Sequence, residues 1–93
     1  MDDKDAFYKK LQWQLEDTTQ FPSDYLFKFI VPTTDNQVDD VKNLFNDNGA
    51  VINTKKSKTG KYVSVSIVLN VENATTIISY YQKAEKIKGI ISL

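Results

Sequence analysis

The stretch KYVSVSIVLNV (residues 61–71) decides the fold. Val63, Val65, Ile67, Leu69 and Val71 alternate there with Tyr62, Ser64, Ser66, Val68 and Asn70. Successive side chains of a strand point to opposite faces, so one face is wholly aliphatic and the other mixed. The aliphatic face must meet helices. Immediately upstream, Lys58-Thr59-Gly60 reads as a hairpin turn, with Gly60 supplying a positive φ. Residues 50–56 then form the partner strand. Their polar character and flanking lysines suit a sheet edge, where charge discourages unwanted pairing. Downstream, Asn73 caps a helix whose buried stripe is Ala74, Ile77, Ile78, Tyr81 and Ala84, with Lys83 and Lys86 near its negative end. Residues 89–93 close the chain as a short apolar strand.

Further upstream, residues 25–31 read as a strand, with Phe27, Phe29 and Val31 on one face and Leu26, Lys28 and Ile30 on the other. So much apolar content predicts a central strand, which Pro32 ends. Thr34-x-x-Gln37 fits a capping box, and Asp35 adds negative charge to the first turn of the helix that follows. Val38, Val41, Leu44 and Phe45 form its stripe, and Asn48-Gly49 is its stop. The order βαββαβ, with short connections and right-handed crossovers, predicts an α+β, ferredoxin-like sandwich over residues 21–93. Its sheet order is expected to be 4-1-3-2, with both helices on one face.

Residues 1–20 are an appendage. Phe7, Leu11 and Leu15, with Tyr8 beside them, make one face of an amphipathic helix. Thr18-Thr19-Gln20 reads as a hinge before Phe21-Pro22. Leu26, Ile30, Tyr62 and Val68 point away from the core helices, and soluble monomers avoid a large bare apolar patch. The helix is therefore expected to fold back over that sheet face, with a homodimer as the alternative cover.

Composition excludes more than it reveals. The 93 residues suffice for one domain, and 41% of them are hydrophobic. Cys and His are both absent, which removes disulfides, the thiol nucleophile, the commonest general base and the commonest metal ligand. All twelve basic residues are Lys, balanced by twelve acids. Neutral balance and the lack of Arg weigh against a nucleic-acid binder. The start of the chain lacks the basic and apolar runs of a secretory signal, and no apolar stretch approaches a membrane span. A cytoplasmic protein is expected.

Catalytic and cofactor motifs fail one by one. Gly60-Lys61 lacks the remainder of a phosphate-binding loop: position 55 is Lys and position 62 is Tyr. Around Asn46, Asn48 and Gly49 a calcium loop would place Leu44 and Lys55 at its ligand ends. Asp39 and Asp40 are adjacent on a helix and point in different directions, and Asp35 and Asp39 share an exposed face, without the burial that raises a carboxyl pKa. Ser64 and Ser66 have no His to activate them. No enzyme activity, catalytic residue, metal or cofactor is expected.

The segment KKSKTGKYVSVSI (residues 55–67) resembles the signature hairpin of the YbeD-like family of small bacterial proteins. Lys55, Ser57, Gly60, Tyr62, Ser64, Val65, Ser66 and Ile67 carry the likeness. Phe21-Pro22 before an apolar strand, the helix of residues 77–87 and the terminal strand extend it over about residues 20–93. The resemblance implies a ferredoxin-like fold similar to ACT domains, which bind small effectors and regulate enzymes. It supplies no catalytic residues. A regulatory or interaction module is therefore expected, contacting a partner protein or a small effector through Lys55, Ser57, Gly60, Tyr62, Ser64 and Ser66. The alternative is an RNA- or phosphate-contacting module using Lys55, Lys56, Lys58 and Lys61.

Overall fold

A computed structural model describes residues 3–46 and 49–93. The elements are α1 (Asp3–Thr18), β1 (Ser23–Pro32), α2 (Gln37–Phe45), β2 (Val51–Lys56), β3 (Tyr62–Val71), α3 (Ala74–Ala84) and β4 (Ile91–Ser92). Four antiparallel strands form one sheet in the order β2-β3-β1-β4, which from the other edge is 4-1-3-2. The protein is thus an α+β fold of three helices and a four-stranded antiparallel sheet. The long β1–β3 pairing, Ser23↔Val71 to Pro32↔Tyr62, is its centre.

The alternation in β3 determines its two faces. Val63, Val65, Ile67, Leu69 and Val71 are all buried, while Tyr62, Val68 and Asn70 are exposed. In register with them, Phe27, Phe29 and Val31 of β1 turn to the helices and are fully buried. An aromatic cluster fills the space between sheet and helices. Phe27 lies 5.0 Å from Phe45, 5.6 Å from Tyr80 and 5.4 Å from Tyr81, and Phe45 stacks on Tyr80 at 4.5 Å. The buried stripe of α3 is Ala74, Ile77, Ile78, Tyr81 and Ala84, as its periodicity requires. Asn73 caps it: its side-chain oxygen accepts from the Thr76 amide and hydroxyl, both at 2.9 Å.

Three local expectations change. The helix expected from Thr34 begins only at Gln37. The Gln37 side chain accepts from the Asp35 amide at 2.8 Å and donates to the Thr34 hydroxyl at 3.1 Å. It thereby satisfies a bend over residues 33–36 instead of a first helical turn. At the other end α2 stops at Phe45, and Gly49 has a φ of 69°; Asn48, the other half of the expected stop, lies outside the described residues. The terminal strand is two residues long, paired to Phe29 and Ile30.

The largest correction concerns α1. It does not cover the open sheet face but lies beside α3, in the helix layer. Tyr8 donates to Glu85 at 2.6 Å, Gln12 reaches Thr75 at 3.5 Å, and Leu15 is buried. Ile78 and Tyr81 turn an apolar flank outward from α3, and α1 closes on that flank. Of the expected hinge, Thr18 is the last residue of the helix, bonding back to the Gln14 carbonyl, and the Thr19 amide bonds the Leu15 carbonyl; Thr19 and Gln20 lie beyond the helix. Thr75 of α3 and Glu85 at its C-cap thus supply the polar partners of the docked α1.

This contact carries a pH dependence. Burial and the adjacent Glu85 carboxylate push the Tyr8 hydroxyl up to about 12, and burial with the Tyr25 hydroxyl pushes Tyr81 up as well. An unfolded tyrosine titrates near 10. Above that pH the unfolded chain releases a proton that the folded chain still holds, so stability falls as pH rises toward 12. Urea midpoints measured from about pH 9 to about pH 12 should fall less steeply in Tyr8→Phe than in the parent chain. Equal slopes would show that Tyr8 is not held protonated by the fold.

The hairpin turn rests on one glycine. The Gly60 amide bonds the Ser57 carbonyl at 3.0 Å, and Gly60 has a φ of 73°. Nothing lies within 4 Å of where its Cβ would sit, so a side chain meets backbone strain alone. Gly60→Val should cost about 1–2 kcal/mol, and Gly60→Asn much less, because Asn tolerates the left-handed region. At about 4–8 °C per kcal/mol, thermal melts resolve the difference. A Val variant melting with the parent would refute this turn geometry.

Candidate functional site

The face of the sheet turned away from the helices is uncovered. Leu26 is 57% exposed and Val51 59%, and Tyr62 and Ile91 are also exposed. Register places its residues in rows across the strands. Leu26, Val68 and Val51 form an apolar row; Lys28, Ser66 and Asn53 form the next; Ile91, Ile30, Ser64 and Lys55 form the third.

At the hairpin end these rows make an open groove of about 470 Å³. Lys28 and Ile30 of β1, Lys55 and Lys56 of β2, and Tyr62 and Ser64 of β3 line it, with Ser57 at the turn. Ile30 and the Tyr62 ring supply an apolar floor. Lys28 and Lys55 bring two ammonium groups, no carboxylate lines the groove, and neither lysine is in an ion pair among the described residues; Lys56, paired with Val63, alternates toward the helix face and lines only the rim. The Tyr62 and Ser64 hydroxyls are likewise without a hydrogen bond among the described residues.

The turn is held from outside the hairpin. The Thr33 amide donates to the Lys61 carbonyl at 3.0 Å, and its hydroxyl to the Gly60 carbonyl at 2.7 Å. Within the hairpin, Ser57 accepts from the Tyr62 amide through its hydroxyl at 3.2 Å and donates its own amide to the Tyr62 carbonyl at 2.9 Å.

Of the six residues singled out in the sequence, four meet in this groove: Lys55, Ser57, Tyr62 and Ser64. Ser66 sits one row away, opposite Lys28 and Asn53. Gly60 shapes the turn without lining the groove. Ser57 also has a structural task, since its hydroxyl is engaged by the backbone. Lys28 was missed as a site residue. Its signal was a lone charge in an otherwise apolar strand, on the face opposite Phe27 and Phe29. Among the described residues no group of acids is placed to hold a metal ion, and no helix is long and apolar enough to cross a membrane.

The molecule is therefore a small antiparallel α+β domain with a basic, hydroxyl-lined groove on its open sheet face. A family model described as "Protein of unknown function (DUF493)" matches residues 16–93, all but the first fifteen, and the chain belongs to that family. Comparison with curated proteins and with solved structures gives no match.

Proposed function

We propose that the protein is a non-enzymatic regulatory module of ferredoxin-like, ACT-like type that binds a small anionic effector in the groove of Lys28 and Lys55. The observation that carries this reading is the groove itself: two ammonium groups and two hydroxyls, all without a partner among the described residues, around an apolar floor. Such a set suits a carboxylate or phosphate attached to a short apolar tail. Ammonium and hydroxyl donors make charge-assisted hydrogen bonds to the anion, while the tail lies on Ile30 and Tyr62. Strand order, helices on one face and the YbeD-like hairpin support the fold assignment. With no His or Cys in the chain, the groove offers donors but no ordinary base–nucleophile pair. The adjoining apolar row of Leu26, Val68 and Val51 is where a partner protein would sense occupancy.

Titration of the full chain with phosphate, acetate and hexanoate, followed by amide NMR shifts, tests the reading. Saturable shifts are expected at residues 28–30, 55–57 and 62–64. Lys28→Gln and Lys55→Gln should each weaken binding by about 3–10-fold, roughly 1 kcal/mol. Hexanoate should bind at least about tenfold tighter than acetate if its methylenes are buried. Shifts that do not saturate, or that ignore both substitutions, would overturn the proposal. A short oligouridylate that binds far more tightly than phosphate, with steep salt dependence, would instead support the RNA-contacting alternative through Lys58 and Lys61.

A further inference from the structure

A second cavity lies on the opposite side of β1, where α1 closes against α3. It measures about 270 Å³, is more enclosed than the sheet groove and is mainly apolar. Phe7, Tyr8 and Leu11 of α1 form one wall; Tyr25, Tyr81 and Leu93 form the other. The first three residues precede the part of the chain matched by the family model, and the last three lie within it. The cavity therefore arises from the added helix.

Its chemistry differs from that of the groove. The Tyr25 and Tyr81 hydroxyls are 2.9 Å apart. One proton lies between them, so the accepting hydroxyl keeps its own proton to donate, and neither hydroxyl makes another hydrogen bond among the described residues. The Tyr25 and Tyr81 rings stand nearly perpendicular, at 89°, and Phe7 meets Tyr8 at 65°. Walls of this kind present both ring faces and ring edges, the two surfaces another aromatic ring packs against. No lysine lines the cavity, and the Glu85 carboxylate on Tyr8 opposes an anion. An apolar cavity of about 150 Å³ suffices for benzene, so this one takes a single ring with a small substituent. At its mouth Phe7 and Leu93 are more than 60% exposed, apolar surface that a bound ring would cover.

We infer that the cavity between α1, β1 and α3 is a binding site for a small neutral aromatic molecule bearing one hydrogen-bond-accepting substituent, which the Tyr25–Tyr81 hydroxyl pair engages. It is separate from the anion groove, on the other face of the same strand, and does not depend on it.

Titration of the full chain with p-cresol, followed by amide NMR shifts, tests this. Saturation in the millimolar range or tighter is expected, with shifts confined to residues 7–11, 25, 81 and 91–93. Leu11→Trp, which fills the cavity, should abolish the shifts. Tyr25→Phe removes one hydroxyl of the pair and should weaken binding several-fold, with a circular dichroism melt confirming that each variant is folded. Ser64→Ala, in the groove, should change nothing. Benzoate should bind several-fold more weakly than p-cresol. Three results would each overturn the inference: no saturation by p-cresol, binding indifferent to both cavity substitutions, or benzoate binding equal to that of p-cresol.

Discussion

Phe27→Ala should destabilise the protein by about 3–5 kcal/mol, the range for removing a buried aromatic ring. Phe27 is fully buried, and its ring lies within 6.5 Å of those of Tyr25, Phe29, Phe45, Tyr80 and Tyr81. Its removal costs the transfer free energy of the ring and leaves a cavity that two helices and a sheet cannot easily collapse. A 93-residue domain has a net stability of only about 5–14 kcal/mol. The variant should therefore be substantially unfolded at modest urea concentrations. Leu26→Ala, the next residue along the same strand, should cost under about 1 kcal/mol, because Leu26 is 57% exposed on the open face. Urea denaturation of both variants is the measurement. A cost for Leu26→Ala approaching that for Phe27→Ala would mean that the open face is packed against something.

Ile67→Ala should cost about 2–4 kcal/mol, and Ser66→Ala under about 1 kcal/mol. Ile67 is fully buried at the centre of the sheet, opposite Phe27 on one side and Ile52 on the other. Ser66 is half-buried on the other face, between Lys28 and Asn53. The pair tests register, because a one-residue slip would exchange the two faces along the whole of β3. Equal or reversed costs would refute the pairing Phe27↔Ile67. Anion titration of Ser66→Ala adds a functional readout: Ser66 lies outside the groove lining, so binding should be nearly unchanged.

The two sites sit on opposite faces of β1. Lys28 and Ile30 face the anion groove, and Tyr25 faces the cavity under α1. The exposed apolar row of Leu26, Val68 and Val51 adjoins the groove, on the face of the sheet opposite the helix layer that holds α1.

Features set by short-range chemistry were legible in the residues themselves. The faces of β3 follow from a strict two-residue alternation, the stripe of α3 from helical spacing, the Asn73 cap from a side chain three residues before its donor, and the Gly60 turn from a φ that other residues resist. Each depends on neighbours within about ten positions, so periodicity and local sterics decide it. The groove was half legible. Lys55, Ser57, Tyr62 and Ser64 share one hairpin, whereas Lys28 joins them only because β1 pairs with β3 in one register. Tertiary structure alone decided three further matters. Gln37 abandons the capping box because its side chain satisfies the preceding bend. Tyr80, outside the expected stripe of its helix, stacks on Phe45. The stripe of α1 is compatible with either face of the sheet, and its side was chosen by partners some sixty to eighty residues away, Thr75 and Glu85, beside the apolar flank of α3. An amphipathic stripe specifies that a helix must be covered; which surface covers it is settled by the polar groups that happen to flank that surface in the folded chain.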